Sequence, residues 1–420
     1  MVTRKTVIEK SASKKSKVKK STAKVPREKE SKAEDLIESY SRISVPIYST
    51  DRWKKSNLDS YYKIFTEKVF KKDYSDLLKA LRNNLTHTFT RTNRSEIIKE
   101  LKQCYKKEKL VLVLGAGVSM SFGLPSWEIL LQKLMVETLQ RDKSASSVLS
   151  KLFAKIFNPS PLIAGRYLQK YFETNNQSFE DEVRKILYQE IERKTSSGLM
   201  DEIVRYCIAP GKSPNLNSII TYNFDDIVEQ SILNSSLDLP FKPIYGKGVD
   251  VDAGELPIYH VHGYLPEKGK LAEANEITFG ENIYHKQYTD IYSWNNIVQI
   301  NKFRENNCLF IGTSLTDPNT RRLLDIANQQ RTTTKGSHFI FKLKFKKEDV
   351  KKALELLLTQ NQELFNEKAN ANLKLDETVD TLIDTIESFE ENDLNSFGIK
   401  TIWIEKYSEI PELLKVIRAN

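Results

Sequence analysis

Leu110-Val111-Leu112-Val113-Leu114-Gly115-Ala116-Gly117-Val118-Ser119 is the stretch on which the reading of this chain turns. Five apolar residues without alternation suit a strand covered on both faces, as in a parallel sheet. Gly115 and Gly117 follow at once. Backbone without a Cβ can turn sharply, approach an anion closely and aim its amides at it. A buried strand running into such a turn is how a doubly wound α/β sheet receives a dinucleotide phosphate. The motif stops short of G-x-G-x-x-G, because Met120 stands where the third glycine belongs. No acidic residue marks the end of a second strand to hold a ribose.

Working outward, Ser95 to about Tyr105 reads as a helix leading into this strand. A second helix starts near Ser126 and carries Ile129, Leu130, Leu134 and Val136 inward. Further short apolar strands are expected at Ser218–Tyr222, Pro257–Val261, Cys308–Ile311, His338–Phe341 and Ile399–Ile404, the last followed by a helix near Ile410–Ile417. From Leu139 to Lys212 only helical signals occur. Leu162, Tyr167, Leu168 and Tyr171 form one stripe, and Ser178 with Asp181 starts a helix carrying Phe179, Val183, Ile186 and Leu187. This reads as a helical cap beside the sheet, able to close a pocket against water. Between Leu375 and Lys400 eight acids meet no Lys or Arg, while Leu375, Val379, Leu382, Ile383, Ile386 and Phe389 share one helical face. That segment reads as an acidic amphipathic helix, docked on the core or offered to another subunit.

The fold class expected is therefore α/β, a Rossmann-like parallel sheet with an all-helical insertion and a helical N-terminal extension. The domains expected are a disordered basic tail (1–32), the helical extension (33–95), a nucleotide-binding domain (96–345, with the insertion at about 140–212) and C-terminal helices with the last strand (346–420). In the extension, Tyr61, Tyr62, Phe65, Val69 and Phe70, then Leu77, Leu78 and Leu81, fall at helical spacing and read as packing surfaces.

Composition narrows the classes. In 420 residues no apolar run approaches the ~18 residues of a membrane span, and the first residues lack an apolar signal core. The three cysteines, Cys104, Cys207 and Cys308, are few and scattered, so a disulfide framework is not expected and a cytoplasmic location is. Three cysteines also cannot build a four-cysteine zinc site, so no metal is expected. Residues 1–32 hold twelve Lys or Arg against three Glu, which accounts for the whole net charge of +9. A solvated tail explains them, with nucleic-acid binding as the sharper alternative.

Two other strand ends carry chemistry: Thr221-Tyr222-Asn223-Phe224-Asp225 and Tyr259-His260-Val261-His262-Gly263. An Asn, an Asp and a His gathered over a dinucleotide site suggest glycosidic-bond chemistry on NAD, and loss of nicotinamide leaves an oxocarbenium-like sugar. The site must hold a carboxamide, place a nucleophile and handle a proton. Asp225 can accept from the carboxamide amine, Asn223 is donor and acceptor at once, and His262 titrates near neutrality. His260 falls on the same face in an extended strand and is the second candidate base. Tyr284, Tyr288 and Trp294 read as packing, Asp317, Arg321 and Arg322 as a helix start, and His285 and His338 as structural.

The string G-A-G-x-S-x-x-x-G-x-P, built from Gly115, Ala116, Gly117, Ser119, Gly123 and Pro125, extends the first motif. With Asn223 and Asp225, with His262-Gly263 and with Gly312-Thr313-Ser314-Leu315, it resembles the sirtuin superfamily in order and spacing over roughly Lys99–Phe345. The resemblance implies a Rossmann fold that binds NAD and cleaves its nicotinamide–ribose bond. It implies Asn223, Asp225 and His262 as catalytic residues, and NAD contacts from Gly115, Ala116, Gly117, Ser119, Pro125, Trp127, Gly312, Thr313 and Ser314. The chain departs from the protein deacylases of that superfamily. Their zinc cysteines are absent, their G-I-P-D-F-R is Gly123-Leu124-Pro125-Ser126-Trp127-Glu128, and their Thr-Gln-Asn is Thr221-Tyr222-Asn223.

These departures resemble the zinc-free sirtuin-like domains of bacterial antiviral defence proteins, which hydrolyse NAD to nicotinamide and ADP-ribose. An NAD glycohydrolase is therefore the activity expected. The alternatives are a non-catalytic nucleotide-binding subunit regulating an ATPase or nuclease assembly, and a protein deacylase. An unrestrained NADase is lethal, so the resemblance further implies control by homo-oligomerisation or by a separate partner, a HerA-type ring ATPase being preferred. The trigger, the subunit count and the choice between NAD and NADP have no signature in the sequence.

Overall fold

The structure is a computed structural model that describes residues 93–107, 110–140, 160–192, 197–208, 216–235, 238–271, 275–331, 337–360 and 375–419. The basic tail, the N-terminal extension stripe and parts of the insertion lie outside the described residues. Contacts group residues 80–355 and 375–420 into one unit, described here.

Seven parallel strands form one sheet: β1 (Leu110–Leu114), β2 (Ser218–Thr221), β3 (Phe241–Ile244), β4 (Leu256–His260), β5 (Asn307–Ile311), β6 (His338–Leu343) and β7 (Ile399–Ile404). Their order is β3-β4-β2-β1-β5-β6-β7. β1 is central and fully buried. Its register runs Val111 to Ser218 on one side and Leu110 to Asn307 on the other. Alternate β1 residues feed two cores. Leu110, Leu112 and Leu114 join the larger one, and Val111 and Val113 join a smaller one with Phe303, Phe310, Leu323 and Phe397. Each such side chain withdrawn from water contributes about 1.5–3 kcal/mol.

The chain leaves β1 for β2 on one side and later returns to β5 on the other. That reversal opens a crevice beyond the C-terminal ends of β1 and β5, where ligands settle in open α/β sheets. Every expected strand is present within a residue or two of its expected ends. The addition is β3, an edge strand of half-buried residues containing Pro243. Proline lacks an amide donor and is tolerated at an edge, where it blocks further pairing.

Helix α1 (Arg94–Lys106) buries Ile97 and Leu101. After β1 come two 3₁₀ turns (Ala116–Val118 and Met120–Phe122) before α2 (Trp127–Gln140). Leu130, Leu131, Leu134 and Met135 of α2 are buried, whereas Ile129, expected inward, is exposed. The insertion supplies α3 (Pro161–Thr174), α4 (Phe179–Leu187) and α5 (Gly198–Tyr206). In α4 the expected Ser178 cap accepts the Asp181 amide at 3.2 Å, and the expected stripe is buried. In α3 the buried stripe is Ala164, Gly165, Leu168 and Phe172, while Tyr167 and Tyr171 face solvent. The shift has a cause at Gly165. A Cβ there would stand 2.4 Å from the Phe279 carbonyl oxygen, so the helix meets the 279–280 backbone through its glycine.

The remaining helices are α6 (Ile227–Asn234), α7 (Glu281–Thr289), α8 (Trp294–Glu305), α9 (Pro318–Gln329), α10 (Lys347–Gln360), α11 (Leu375–Ser396) and α12 (Glu409–Arg418). The acidic helix α11 docks with Thr378, Val379, Thr381 and Leu394 buried. Leu382, Ile386 and Phe389 of its expected apolar face point to solvent instead. Its acids pair with Lys351, Lys347 and Arg321 through Asp376, Asp380 and Asp393. These pairs are solvent-exposed and each contributes about 0–1 kcal/mol.

Candidate active site

The two loops at the crevice interlock. A Cβ on Gly115 would lie 2.6 Å from the Gly312 carbonyl oxygen, and one on Gly117 would lie 2.7 Å from the Gly312 Cα. Gly312 is itself left-handed, with φ of 69°. The glycines are thus demanded first by each other. The expectation of free amides needs correction for the same reason. Gly115 N donates to Ile311 O, Gly117 N to Gly312 O, Val118 N to Gly115 O and Ser119 N to Ala116 O. Within 115–119 the Ala116 amide alone has no hydrogen bond among the described residues, and its residue is half-buried.

Asn223 is held on nearly every polar atom. Its amide donates to Thr221 Oγ1 at 3.1 Å, and its Nδ2 donates to the Gly115 carbonyl and to Ser119 Oγ, both at 3.1 Å. A carbonyl only accepts, so the group facing Gly115 must be the amine. Both its protons are spent, and Oδ1 remains. Asn223 therefore offers an acceptor, not the donor–acceptor pair its residue type allows. What it can orient is a hydroxyl or a water through that group's proton.

Ser119 is the hub that its sequence position did not reveal. It is buried, and its hydroxyl accepts from Asn223 while donating to Asp225 Oδ1 at 2.9 Å. Expected as an NAD contact, its side chain is already shared between the amide and the carboxylate. Asp225 also accepts the Ile227 amide at 3.2 Å, at the start of α6. Burial pushes its carboxyl up to about 6, with nearby Glu229 adding to the rise, against the Ser119 and Ile227 hydrogen bonds that pull it down. Near neutrality Asp225 is mostly ionised, so it can face a positive charge that develops beside it.

His262 lies just past β4, in the turn before Gly263, whose φ is 105°. Its ring packs edge-on to Tyr222 at 4.9 Å and lies 6.3 Å from Tyr284 between ring centres. Among the described residues no hydrogen bond reaches its ring nitrogens. Burial lowers its pKa, opposed by the Asp317 charge, so the ring is neutral and ready to take a proton. Tyr284 donates to Asp317, which caps α9 through the Thr320 amide at 2.6 Å. Tyr222 donates to Gln299 at 2.7 Å.

His260, the second candidate base, is deeply buried with both ring nitrogens engaged, Nδ1 on Asn223 O at 3.2 Å and Nε2 on Glu229 Oε1 at 2.6 Å. Glu229 was not foreseen. The available signal was its position four residues after Asp225, one turn along α6. Tyr188 of the insertion was also missed. Its hydroxyl lies 2.8 Å from both Asp226 Oδ1 and the Leu265 carbonyl oxygen, donating its one proton to one of them at a time, and accepts the Asp226 amide. With Leu265 N on Phe224 O at 2.7 Å, the Asn223 and His262 loops are tied together.

The other expected contacts spread around this centre. Trp127 is half-buried against Phe279 at 4.5 Å and Phe224 at 6.2 Å, and Pro125 is half-buried just before it. Thr313 Oγ1 accepts the Leu315 amide at 3.3 Å, and Ser314 shares a hydrogen bond with Thr316. Leu315, buried with φ of 56°, carries backbone strain beside the crevice. His338 is structural, bound by the Cys308 amide and Arg331. A cavity of about 210 Å³ lies elsewhere, behind the His262 turn, lined by Tyr245, Val261, Lys286 and Trp294 among others. Among the described residues no cluster of His, Cys, Asp or Glu could hold a metal ion, and no helix is long and apolar enough to cross a membrane.

Residues 217–365 match the family model described as a SIR2-like domain. The chain is 21% identical over 327 residues to the NAD(+) hydrolase ThsA of Enterococcus faecium, covering 78% of this chain and 58% of that protein. It is 22% identical over 328 residues to the NAD(+) hydrolase ThsA of Bacillus cereus (strain MSX-D12), covering 77% and 56%. The chain thus spans less than three fifths of either relative's length. Residues 217–365, which carry Asn223, Asp225 and His262 within the parallel sheet, are thus similar to a SIR2-like domain.

Proposed function

We propose that this protein is an NAD glycohydrolase that releases nicotinamide and ADP-ribose. The observation that carries the reading is the Asn223–Ser119–Asp225 hydrogen-bonded group at the strand-reversal crevice, with a neutral His262 on the neighbouring strand tip. NAD enters as substrate. The bond between the ribose anomeric carbon and the nicotinamide nitrogen breaks, and its electron pair neutralises the pyridinium. Asp225 stabilises the positive charge that develops on the sugar. Asn223 Oδ1 holds the proton of a ribose hydroxyl or of the attacking water. Water adds to the anomeric carbon, and His262 accepts its proton.

Two relatives named as NAD(+) hydrolases support the same chemistry. Defence by NAD depletion, and restraint by self-association or by a ring ATPase partner, belong to this proposal through the sequence resemblance. The test is to incubate the full chain, alone and with the product of its neighbouring gene, with NAD and to follow free nicotinamide. Release without any acylated protein, reduced at least ~100-fold in both Asn223→Ala and His262→Ala, supports the reading. Release that persists in both variants, or silence in every combination, overturns it. Sedimentation of the same samples tests self-association and partner binding.

A further inference from the structure

We infer that His260 and Glu229 form a buried positioning pair that holds Asn223 in its reactive orientation, and that His260 is not the base. The inference deepens the NAD glycohydrolase reading by separating the roles of the two histidines.

The argument begins with proton counting. The Asn223 carbonyl only accepts, so its contact with His260 Nδ1 at 3.2 Å requires a proton on Nδ1. The other nitrogen lies 2.6 Å from Glu229 Oε1, a short separation that places a second proton between them. A ring occupied on both sides has no lone pair free for a substrate. Both side chains are almost wholly buried, and Tyr264 packs over the imidazole at 4.3 Å between ring centres. His262 differs in each respect, being half-buried and, among the described residues, with no hydrogen bond to its ring nitrogens.

The pair completes a cage. The side-chain amine of Asn223 is tied to Gly115 and Ser119, its amide to Thr221 and its carbonyl to His260. Removing the last tie frees the peptide between Asn223 and Phe224 to rotate. That rotation moves Asn223 Oδ1 and disturbs Asp225 two residues on. Glu229 Oε2 is buried and has no hydrogen bond among the described residues. Fold stability alone favours an apolar side chain over such an orphan oxygen, so its presence fits a residue kept for the site.

Two experiments test this. The first needs no activity. The chain has five histidines, so side-chain ¹⁵N spectra of histidine-labelled protein are assignable by comparison with His260→Asn. The expected result is a protonated His260 Nδ1 near neutral pH, with its signal altered in Glu229→Gln. An unprotonated Nδ1 overturns the inference, and this readout stands even where wild-type protein releases no nicotinamide.

The second follows kinetics. His260→Asn keeps a donor toward the Asn223 carbonyl, and His260→Leu does not. The expected loss in kcat is about tenfold for the first and about a hundredfold for the second, with KM within about twofold and the acid limb of the pH profile retained. Equal losses in the two variants, or disappearance of the acid limb in His260→Asn, overturn it.

Discussion

Replacing Asp225 by Asn is expected to stabilise the protein while sharply lowering the proposed nicotinamide release. Native Asp225 keeps its proton up to about 6, whereas the ordinary value is 3.8. Between these two values the native state binds more protons than the unfolded chain, so stability falls as pH rises through that window. Below 3.8 both forms are protonated and no cost exists, and above about 6 the whole cost is present. At about 1.4 kcal/mol per pH unit the cost is about 3 kcal/mol. Asparagine is close in shape and its Oδ1 can still accept from Ser119 and the Ile227 amide, but it carries no charge. Urea unfolding should show Asp225→Asn more stable by about 3 kcal/mol at about pH 7.5 and by only about 1 kcal/mol at about pH 4.5. Nicotinamide release should fall at least ~100-fold. A variant no more stable than wild type at the higher pH, or a gain that does not shrink on acidification, refutes the burial argument.

The profile of kcat/KM should lose activity as pH drops through about 6, because Asp225 takes up its proton there while His262, already lowered, is still neutral. A limb well above neutrality contradicts this assignment. Gly117→Ala drives a Cβ to 2.7 Å from backbone and is expected to cost about 1–3 kcal/mol by thermal unfolding. Gly198→Ala, where the nearest atom is Pro411 Cγ at 4.0 Å, serves as the control and should be neutral to about 1 kcal/mol stabilising.

The sheet was largely legible in the sequence, because central parallel strands must be apolar on both faces and their turns must be polar or glycine-rich. Phe241–Ile244 escaped since an edge strand is half-exposed and its proline argues against a ladder. The helical stripes were harder. Spacing groups Leu382, Ile386 and Phe389 on one face, but which face meets the sheet depends on where the connection lands. In α3 the deciding contact is a glycine meeting backbone, which periodicity cannot show. At the site, residue types singled out Asn223, Asp225 and His262 as candidates. Polarity did not follow from type. Only the carbonyl of Gly115 and the hydroxyl of Ser119 determine that Asn223 presents an oxygen, and only Glu229 determines what His260 can do.

The interlock of Gly115 and Gly117 with Gly312 joins points nearly two hundred residues apart in the chain. Everything strung between them leaves and returns to a single backbone pinch. Lineages of such proteins can therefore lengthen, shorten or exchange the intervening helices while the distance between the two crossover loops stays constant. The converse is strict: a bulkier residue in one loop demands a simultaneous compensating change in the other, so these positions should drift together or not at all.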